Sequence, residues 1–249
     1  MGPPQAGVLV IGESLVDIVT TADGQTSEHV GGSPANVALT LARLGTDAHL
    51  LTTTGNDERG RRIRDHLTGN GVRLIPGGPT ETPTSTAAAT LASGGHASYE
   101  FDLAWRVPDA VLGAVMGRLA DFSCVHTGSV ATVLKPGAGQ VTQALSAARE
   151  HATVSYDPNI RPAIMDDAQT VRPQVEHIIT MSDVVKCSDE DAQWLYPRLD
   201  LDELAGRWLG LGASIVVVTR GPRGATAWSG PDRLDVPGKT LQVADTIGA

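Results

Sequence analysis

Cysteine is nearly absent: Cys124 and Cys187 are the only two in 249 residues. That is too few for a disulfide scaffold, so the expectation is a reducing cytoplasm in which both thiols act as small apolar groups. Aromatic residues make up only 4% of the chain, which leaves Val, Leu, Ala and Gly to fill the core. No stretch approaches the roughly eighteen uninterrupted apolar residues of a membrane-spanning helix. The first residues lack the basic region and long apolar core of a signal peptide, and there is no polybasic anchor. Positive charge is in deficit, 19 Lys and Arg against 28 Asp and Glu, for a net charge of -9. This argues against nucleic acid or an acidic membrane as partner, while a local basic cluster could still hold an anionic substrate.

Several chemical signatures are missing as well. The first apolar run ends in Gly12-Glu13-Ser14-Leu15, not the G-x-G-x-x-G of a dinucleotide fold. No G-x-x-x-x-G-K-[ST] loop exists, and Gly221-Pro222-Arg223-Gly224 is a glycine-bearing turn without the lysine and hydroxyl that a P-loop needs. The histidines form no H-E-x-x-H and the cysteines no C-x-x-C, so a metal site has little support. There is no G-x-S-x-G elbow for acyl transfer.

What is present is a well-punctuated alternation of strands and helices. The apolar content of 41% suits one large domain, or one with a small accessory part. The stretch Gly31 to Gly45 organises the rest. Ser33 is a good N-cap, Pro34 suits the first helical position, and Gly45 suits the left-handed C′ position. Val37, Ala38, Leu41 and Ala42 recur at helical spacing. Asn36 is polar in an otherwise apolar first turn; it is either a local cap, a hydrogen-bond partner of a neighbouring strand, or a ligand contact at the helix entrance. The preceding Gly31-Gly32 pair lets another group approach the backbone closely.

Taken in order, strands are expected at Val8–Ile11, Leu15–Val19, Ala48–Thr53, Phe122–His126, Thr153–Tyr156, Asp183–Lys186, Ile215–Thr219 and Ala225–Trp228. Helices are expected after Asp57 as N-cap, over Ala110–Leu119, Pro136–Glu150 and residues 171–180, from Ser188 to Leu195, and over Leu201–Leu209. Thr84 to Leu103 reads differently, as two antiparallel strands joined by a hairpin turn at Gly94-Gly95, with Tyr99, Phe101 and Leu103 on one side. With Asp17 to Val30 it forms a small β flap, a discontinuous lid over residues 17–30 and 80–106. The remainder is an α/β sheet covered on both faces, whose ligands bind beyond the carboxyl ends of the strands.

Asp157, Lys186 and Thr219 fall at such ends. Asp17 follows the first strand, where it can cap, pair with a cation or hold a hydroxyl. Asp157-Pro158-Asn159-Ile160-Arg161 puts a carboxylate, an amide and a guanidinium in one rigid loop, suited to an internal ion pair or to a phosphate or sugar oxygen. Ser188 and Asp191 have the spacing of a capping box. Lys186, just before, could meet a phosphate or a carboxylate. Asp245-Thr246-Ile247-Gly248-Ala249 looks like the approach to a helix N-terminus, a natural anion site.

Together, Gly12–Asp17, Gly31–Ala38, Gly55–Gly60, Asp157–Pro162, Val218–Gly224 and Asp245–Ala249 resemble, in order and across nearly the whole chain, the PfkB (ribokinase-like) family of carbohydrate kinases. The flavour is that of bacterial fructokinases or 2-keto-3-deoxygluconate kinases. The resemblance implies a ribokinase-like three-layer αβα sandwich with a β lid, spanning residues 1–249. It also implies ATP-dependent phosphorylation of a primary hydroxyl of a small sugar, most simply fructose, with Mg2+ and in some relatives K+. By the same resemblance Asp17, Gly31, Gly32 and Asn36 hold the sugar, and Arg161 lies near the acceptor or its new phosphate. Lys186, Ser188, Thr219, Gly221 and Gly224 line the nucleotide side. Asp191 organises hydrated magnesium, and Asp245 belongs to a monovalent-cation site. Relatives often carry Asn where Ser188 stands. The family motif continues past Ala249 with Gly-Asp, and that aspartate is the family's catalytic base. A form ending at Ala249 is therefore expected to lack most of the rate enhancement and to act as a non-catalytic sugar- or nucleotide-binding protein. The expected partners are a sugar and ATP, with a monomer or a lid-paired homodimer left open.

Overall fold

The computed structural model describes residues 6–91 and 97–238. The Gly94-Gly95 turn and the Asp245–Ala249 segment, with Asp245 as cation ligand, lie outside the described residues. Among the described residues, thirteen strands and seven helices follow in order: β1 Gly7–Ile11, β2 Leu15–Thr20, β3 Thr26–Gly31, α1 Ser33–Arg43, β4 Ala48–Gly55, α2 Glu58–Gly69, β5 Arg73–Thr80, β6 Thr86–Leu91, β7 Ala97–Asp102, α3 Asp109–Met116, β8 Phe122–Gly128, α4 Gly137–Ala148, β9 Thr153–Asp157, α5 Ala168–Ile179, β10 Val184–Ser188, α6 Asp189–Leu195, α7 Leu201–Leu211, β11 Ile215–Thr219, β12 Ala225–Ser229 and β13 Asp232–Val236.

The main sheet has nine strands in the order β13-β12-β11-β10-β9-β8-β1-β4-β5. From β5 to β11 every pair is parallel; β12 and β13 return antiparallel at one edge. Alternate residues of the central strands serve two cores. Leu9, Ile11 and Leu51 join the larger one with residues of α3 to α7, whereas Val10 and Leu50 join the smaller one with Ala35 and Ala38 of α1 and Ile63 and Leu67 of α2. Period-two alternation with both faces buried is what a helix-covered parallel sheet requires. The result is the expected three-layer αβα sandwich.

A second, four-stranded sheet, β3-β2-β6-β7, is the lid. Its β2–β3 and β6–β7 pairs are antiparallel, while β2 and β6 run parallel, with Val16 opposite Thr86. Its bounds differ slightly from residues 17–30 and 80–106: β2 begins at Leu15, and Thr80 ends β5 in the main sheet. The aromatic side expected on β7 is there, with Tyr99 and Phe101 stacked 6.2 Å apart.

Short-range signals account for most boundaries. Asp57 caps α2 by accepting from the Gly60 amide at 2.8 Å, and its second oxygen accepts from the Thr84 amide at 2.8 Å, tying the entry to the lid to this turn. At the end of α1, Gly45 (φ 84°) lets its amide reach the Ala42 carbonyl and the Thr46 amide reach Leu41, a Schellman closure. The start of α1 differs from expectation. Gly32, not Ser33, is the N-cap, at φ 101°, and no side chain of the helix's own first turn caps it. A left-handed residue is needed there because the chain turns sharply out of β3, and a Cβ at Gly32 would sit 2.7 Å from the Glu13 carbonyl oxygen.

Candidate functional site

Strand β1 lies between β4 and β8, so the chain leaves it toward opposite sides of the sheet. The crevice beyond the carboxyl end of β1 is where ligands bind in such folds. The segment that follows, Gly12 to Asp17, is held from three directions. The Gly12 amide donates to the Leu51 carbonyl at 3.1 Å, Thr52 donates to the Ser14 hydroxyl at 3.0 Å, and the Val16 amide donates to the Ser85 carbonyl at 3.0 Å. This places Asp17 on β2, opposite His29 of β3.

The Asp17 carboxylate lies directly against the backbone of Gly31, in the space a Cβ there would take. Burial pushes its carboxyl above the usual range, and the charges of His29 and Arg161 oppose that rise. Arg161 therefore faces Asp17 electrostatically, although it comes from the loop after β9. Gly31, Gly32, Asp17 and Arg161 thus share one region, with Asn36 on the first turns of α1. Among the described residues no protein group bonds to the Asn36 side-chain amide.

The loop Asp157–Arg161 does not form the internal ion pair weighed above. Asp157 pairs with Lys186 of β10, Nζ to Oδ2 at 2.8 Å, and its Oδ1 accepts from the Asn159 amide at 3.0 Å. Burial raises the Asp157 carboxyl, and Lys186 counteracts this. Arg161 is exposed; it donates to the Ile160 carbonyl at 3.0 Å and is otherwise presented outward.

On the next two strands, Ser188 and Thr219 are register partners at the carboxyl ends of β10 and β11. Ser188 and Asp191 make the capping box in full: the Asp191 amide donates to Ser188 Oγ at 3.0 Å, and the Ser188 amide donates to Asp191 Oδ2 at 2.9 Å. Asp191 Oδ1 also accepts from the Ile160 amide at 2.8 Å, so this buried carboxylate joins α6 to the loop after β9. Gly221 (φ 53°) and Gly224 (φ 89°) shape the turn between β11 and β12, where a Cβ at Gly224 would overlap the Val236 carbonyl. Asp17, at the start of the lid, and Ser188 and Thr219, at the ends of β10 and β11, all lie beyond carboxyl ends of sheet strands, with Asp157–Arg161 after β9 between them.

Two features escape a reading of local sequence. A cavity of about 610 Å³ is lined by Thr53, Gly55, Ser85, Trp105, Arg106 and Lys135, among others. It takes residues from four separated stretches, so no local pattern marks it. The other is Glu13, 4% exposed, whose carboxylate accepts from the Ala131 amide at 3.1 Å. Burial pushes its carboxyl up to about 7, against the opposing pull of its own backbone amide, the Ala131 amide, the Ser129 hydroxyl and the Ser33 amide. Because the folded value lies above the ordinary 4.5, the native state holds this proton more tightly than the unfolded chain. The stability associated with it is complete below about pH 4.5 and is lost as pH rises to about 7, a change of roughly 3 kcal/mol. Glu13→Gln is expected to gain stability relative to wild type across that window, read as a urea midpoint difference that widens from about pH 5 to about pH 8. A difference independent of pH would show that Glu13 keeps its ordinary ionisation.

A three-layer α/β sandwich with a four-stranded lid over the crevice at its topological switch is the architecture of ribokinase-like proteins. The family model described as pfkB family carbohydrate kinase matches residues 5–249, and the chain belongs to that family. It is 31% identical to the fructokinase of Rhizobium leguminosarum bv. trifolii, over 97% of this chain and 76% of that protein. Among solved structures, the fructokinase of Halothermothrix orenii superposes with a TM-score of 0.76 at 26% identity, covering 93% of this chain and 85% of that one. The Xylella fastidiosa fructokinase with bound ATP superposes with a TM-score of 0.81 at 24% identity, covering 94% of this chain and 78% of that one. The chemistry of the family is ATP-dependent phosphorylation of a small sugar.

Proposed function

We propose that this chain binds fructose beneath the lid and ATP along β10 and β11, as a fructokinase. The observation that carries the reading is the Asp17 carboxylate seated on the bare backbone of Gly31, with Arg161 opposite and the uncommitted Asn36 amide on α1. A fixed carboxylate accepts from sugar hydroxyls, and an uncommitted amide both donates to and accepts from them. The names of the related fructokinases support fructose as the acceptor.

In this reading a primary hydroxyl of the sugar forms a bond to the γ-phosphorus as the bond to the β–γ bridging oxygen breaks, releasing ADP. The hydroxyl proton passes to the aspartate that the family resemblance places just past Ala249. Arg161, exposed and anchored on the Ile160 carbonyl, offsets charge on the phosphoryl oxygens. Lys186 offers its ammonium to a phosphate while Asp157 keeps it oriented. Among the described residues no cluster of His, Cys, Asp or Glu could cage a metal. Asp191 spends an oxygen on each of two amides, so it fits a contact with magnesium through water better than direct ligation. Magnesium bound with ATP would neutralise charge on the phosphates.

A second reading rests on Arg106 and Lys135, which line the same cavity and would suit a carboxylate-bearing acceptor such as 2-keto-3-deoxygluconate. Coupled ADP-release assays with fructose, ribose and 2-keto-3-deoxygluconate separate the two. Fructose is expected to give the highest kcat/KM by at least about tenfold. A preference for the acid sugar would establish the second reading, and no turnover or binding with any sugar would overturn the kinase assignment.

A further inference from the structure

The first turn of α1 has an unanswered electrostatic need. Its N-cap is a glycine, no acidic residue lies in its first turn, and no side chain of its own accepts from it. A helix N-terminus carries exposed amides and partial positive charge, and it favours a nearby anion. Glu13, on the link between β1 and β2, answers it from outside the helix. Its buried carboxylate accepts from the Ala131 amide at 3.1 Å on one side, its backbone carbonyl packs against Gly32 at the α1 entrance on the other, and the Ser33 amide and Ser129 hydroxyl both favour its charged form. Ser129–Thr132 is a short 3-10 turn directly after β8, entered with Ser129 at φ 55°. One carboxylate thus joins three segments that meet at the switch point: the end of β1, the entrance of α1 and the exit of β8.

The backbone around it leaves little slack. The Glu13 carbonyl and the Ser14 Cα lie 2.7 and 2.9 Å from where a Cβ of Gly32 would be, and a Cβ at Gly12 would overlap the ring of Pro34. Moving Glu13 moves Gly32, and with it the Gly31 backbone on which Asp17 rests.

We propose that Glu13 is a positioning residue for the acceptor: by bridging the α1 entrance to the Ser129–Thr132 turn, it fixes the Gly31-Gly32 wall that seats Asp17. This rests on the kinase reading above, with the sugar bound at that wall. A carboxylate bonded to the Ala131 amide and facing two further donors, the Ser33 amide and the Ser129 hydroxyl, does this better than a neutral group that must donate with one of its atoms. Glutamine at this position would avoid the burial of charge, so the acid is the more costly occupant near neutral pH.

The test compares wild type, Glu13→Gln and Glu13→Ala, measuring fructose and ATP binding by calorimetry and their KM and kcat values from about pH 6 to about pH 8. The groups facing Glu13 are the Ser33 and Ala131 amides and the Ser129 hydroxyl; Asp17, His29 and Arg161 also bear on the wall, so wild type is read against E13Q and not alone. Expected is a wild-type acceptor affinity that strengthens several-fold with rising pH, and an E13Q affinity about tenfold weaker at the upper end with a flatter profile. ATP affinity should change by less than about twofold, and kcat less than acceptor KM. If E13A does not fold, the isosteric E13Q decides. Fructose bound by wild type, with E13Q matching it in affinity and pH profile or losing ATP affinity equally, overturns the role of Glu13. Failure of wild type to bind any sugar overturns the kinase reading, and the acceptor role of Glu13 falls with it.

Discussion

Gly31→Ala is expected to remove nearly all acceptor affinity while leaving the fold and the ATP side close to wild type. The backbone of Gly31 is not in the left-handed region, so alanine meets no conformational penalty of the kind it would meet at Gly32. The obstacle is the Asp17 carboxylate, whose Oδ2 occupies the place of the new methyl group, with a methyl carbon of Leu15 3.2 Å away on the same side. A carboxylate can rotate aside, so the structure yields at the side chain and not at the backbone. It then no longer points where the proposed acceptor hydroxyls would bind. Hydrogen bonds to a charged group contribute about 1.5–3 kcal/mol each, and losing two amounts to about 10³-fold in kcat/KM for the acceptor. The KM for ATP should stay within about twofold. Asp17→Ala should produce a similar loss, and the double variant should be no worse than either single change, because both remove one interaction. Additive losses, or equal damage to ATP and sugar, would place the function of Gly31 elsewhere.

The difference between Gly31 and Gly32 illustrates what the sequence could and could not convey. Features decided within a few residues were legible: Asp57 as N-cap, Gly45 at the helix end, the Ser188–Asp191 box, and the alternating strands buried on both faces. The N-cap of α1 was not. Ser33 and Pro34 carry every local sign of a helix start, yet the cap is Gly32, where the chain turns at φ 101° against the backbone of Glu13, nineteen residues earlier in sequence. Strand β5 was hidden for a different reason: Pro76, Gly77, Gly78 and Pro79 interrupt its pattern, which only an edge position tolerates. Strand β13 is exposed along its whole length and lacks the apolar run that signals a strand. At the site, residue types were legible and pairings were not. Lys186 and Arg161 were both plausible partners for Asp157, and the choice depended on the order of β9 and β10 in the sheet.

Asp191 is where this long-range logic has its largest expected effect on stability. Its carboxylate accepts from Ser188 in α6's own cap and from Ile160 in the loop after β9, and it is 7% exposed. Asp191→Ala leaves both amides without their acceptor in a place water scarcely reaches. Two charge-assisted bonds lost, with a buried donor unpaired, cost about 4 kcal/mol. For a chain of this size that lowers Tm by about 10 °C. Ser188→Ala removes the reciprocal cap alone and should cost only about 1 kcal/mol. The difference between the two variants measures the tether to Ile160, and through it the loop carrying Asp157 and Arg161. If Asp191 acted only through hydrated magnesium, D191A would keep its Tm and lose the dependence of turnover on magnesium. If it acts as the geometry indicates, Tm falls without any ligand present, and sugar and ATP affinities decline together because the loop lies between their sites. Equal melting temperatures for D191A and S188A would show that the Ile160 bond contributes nothing, and the coupling of α6 to this loop would have to be abandoned.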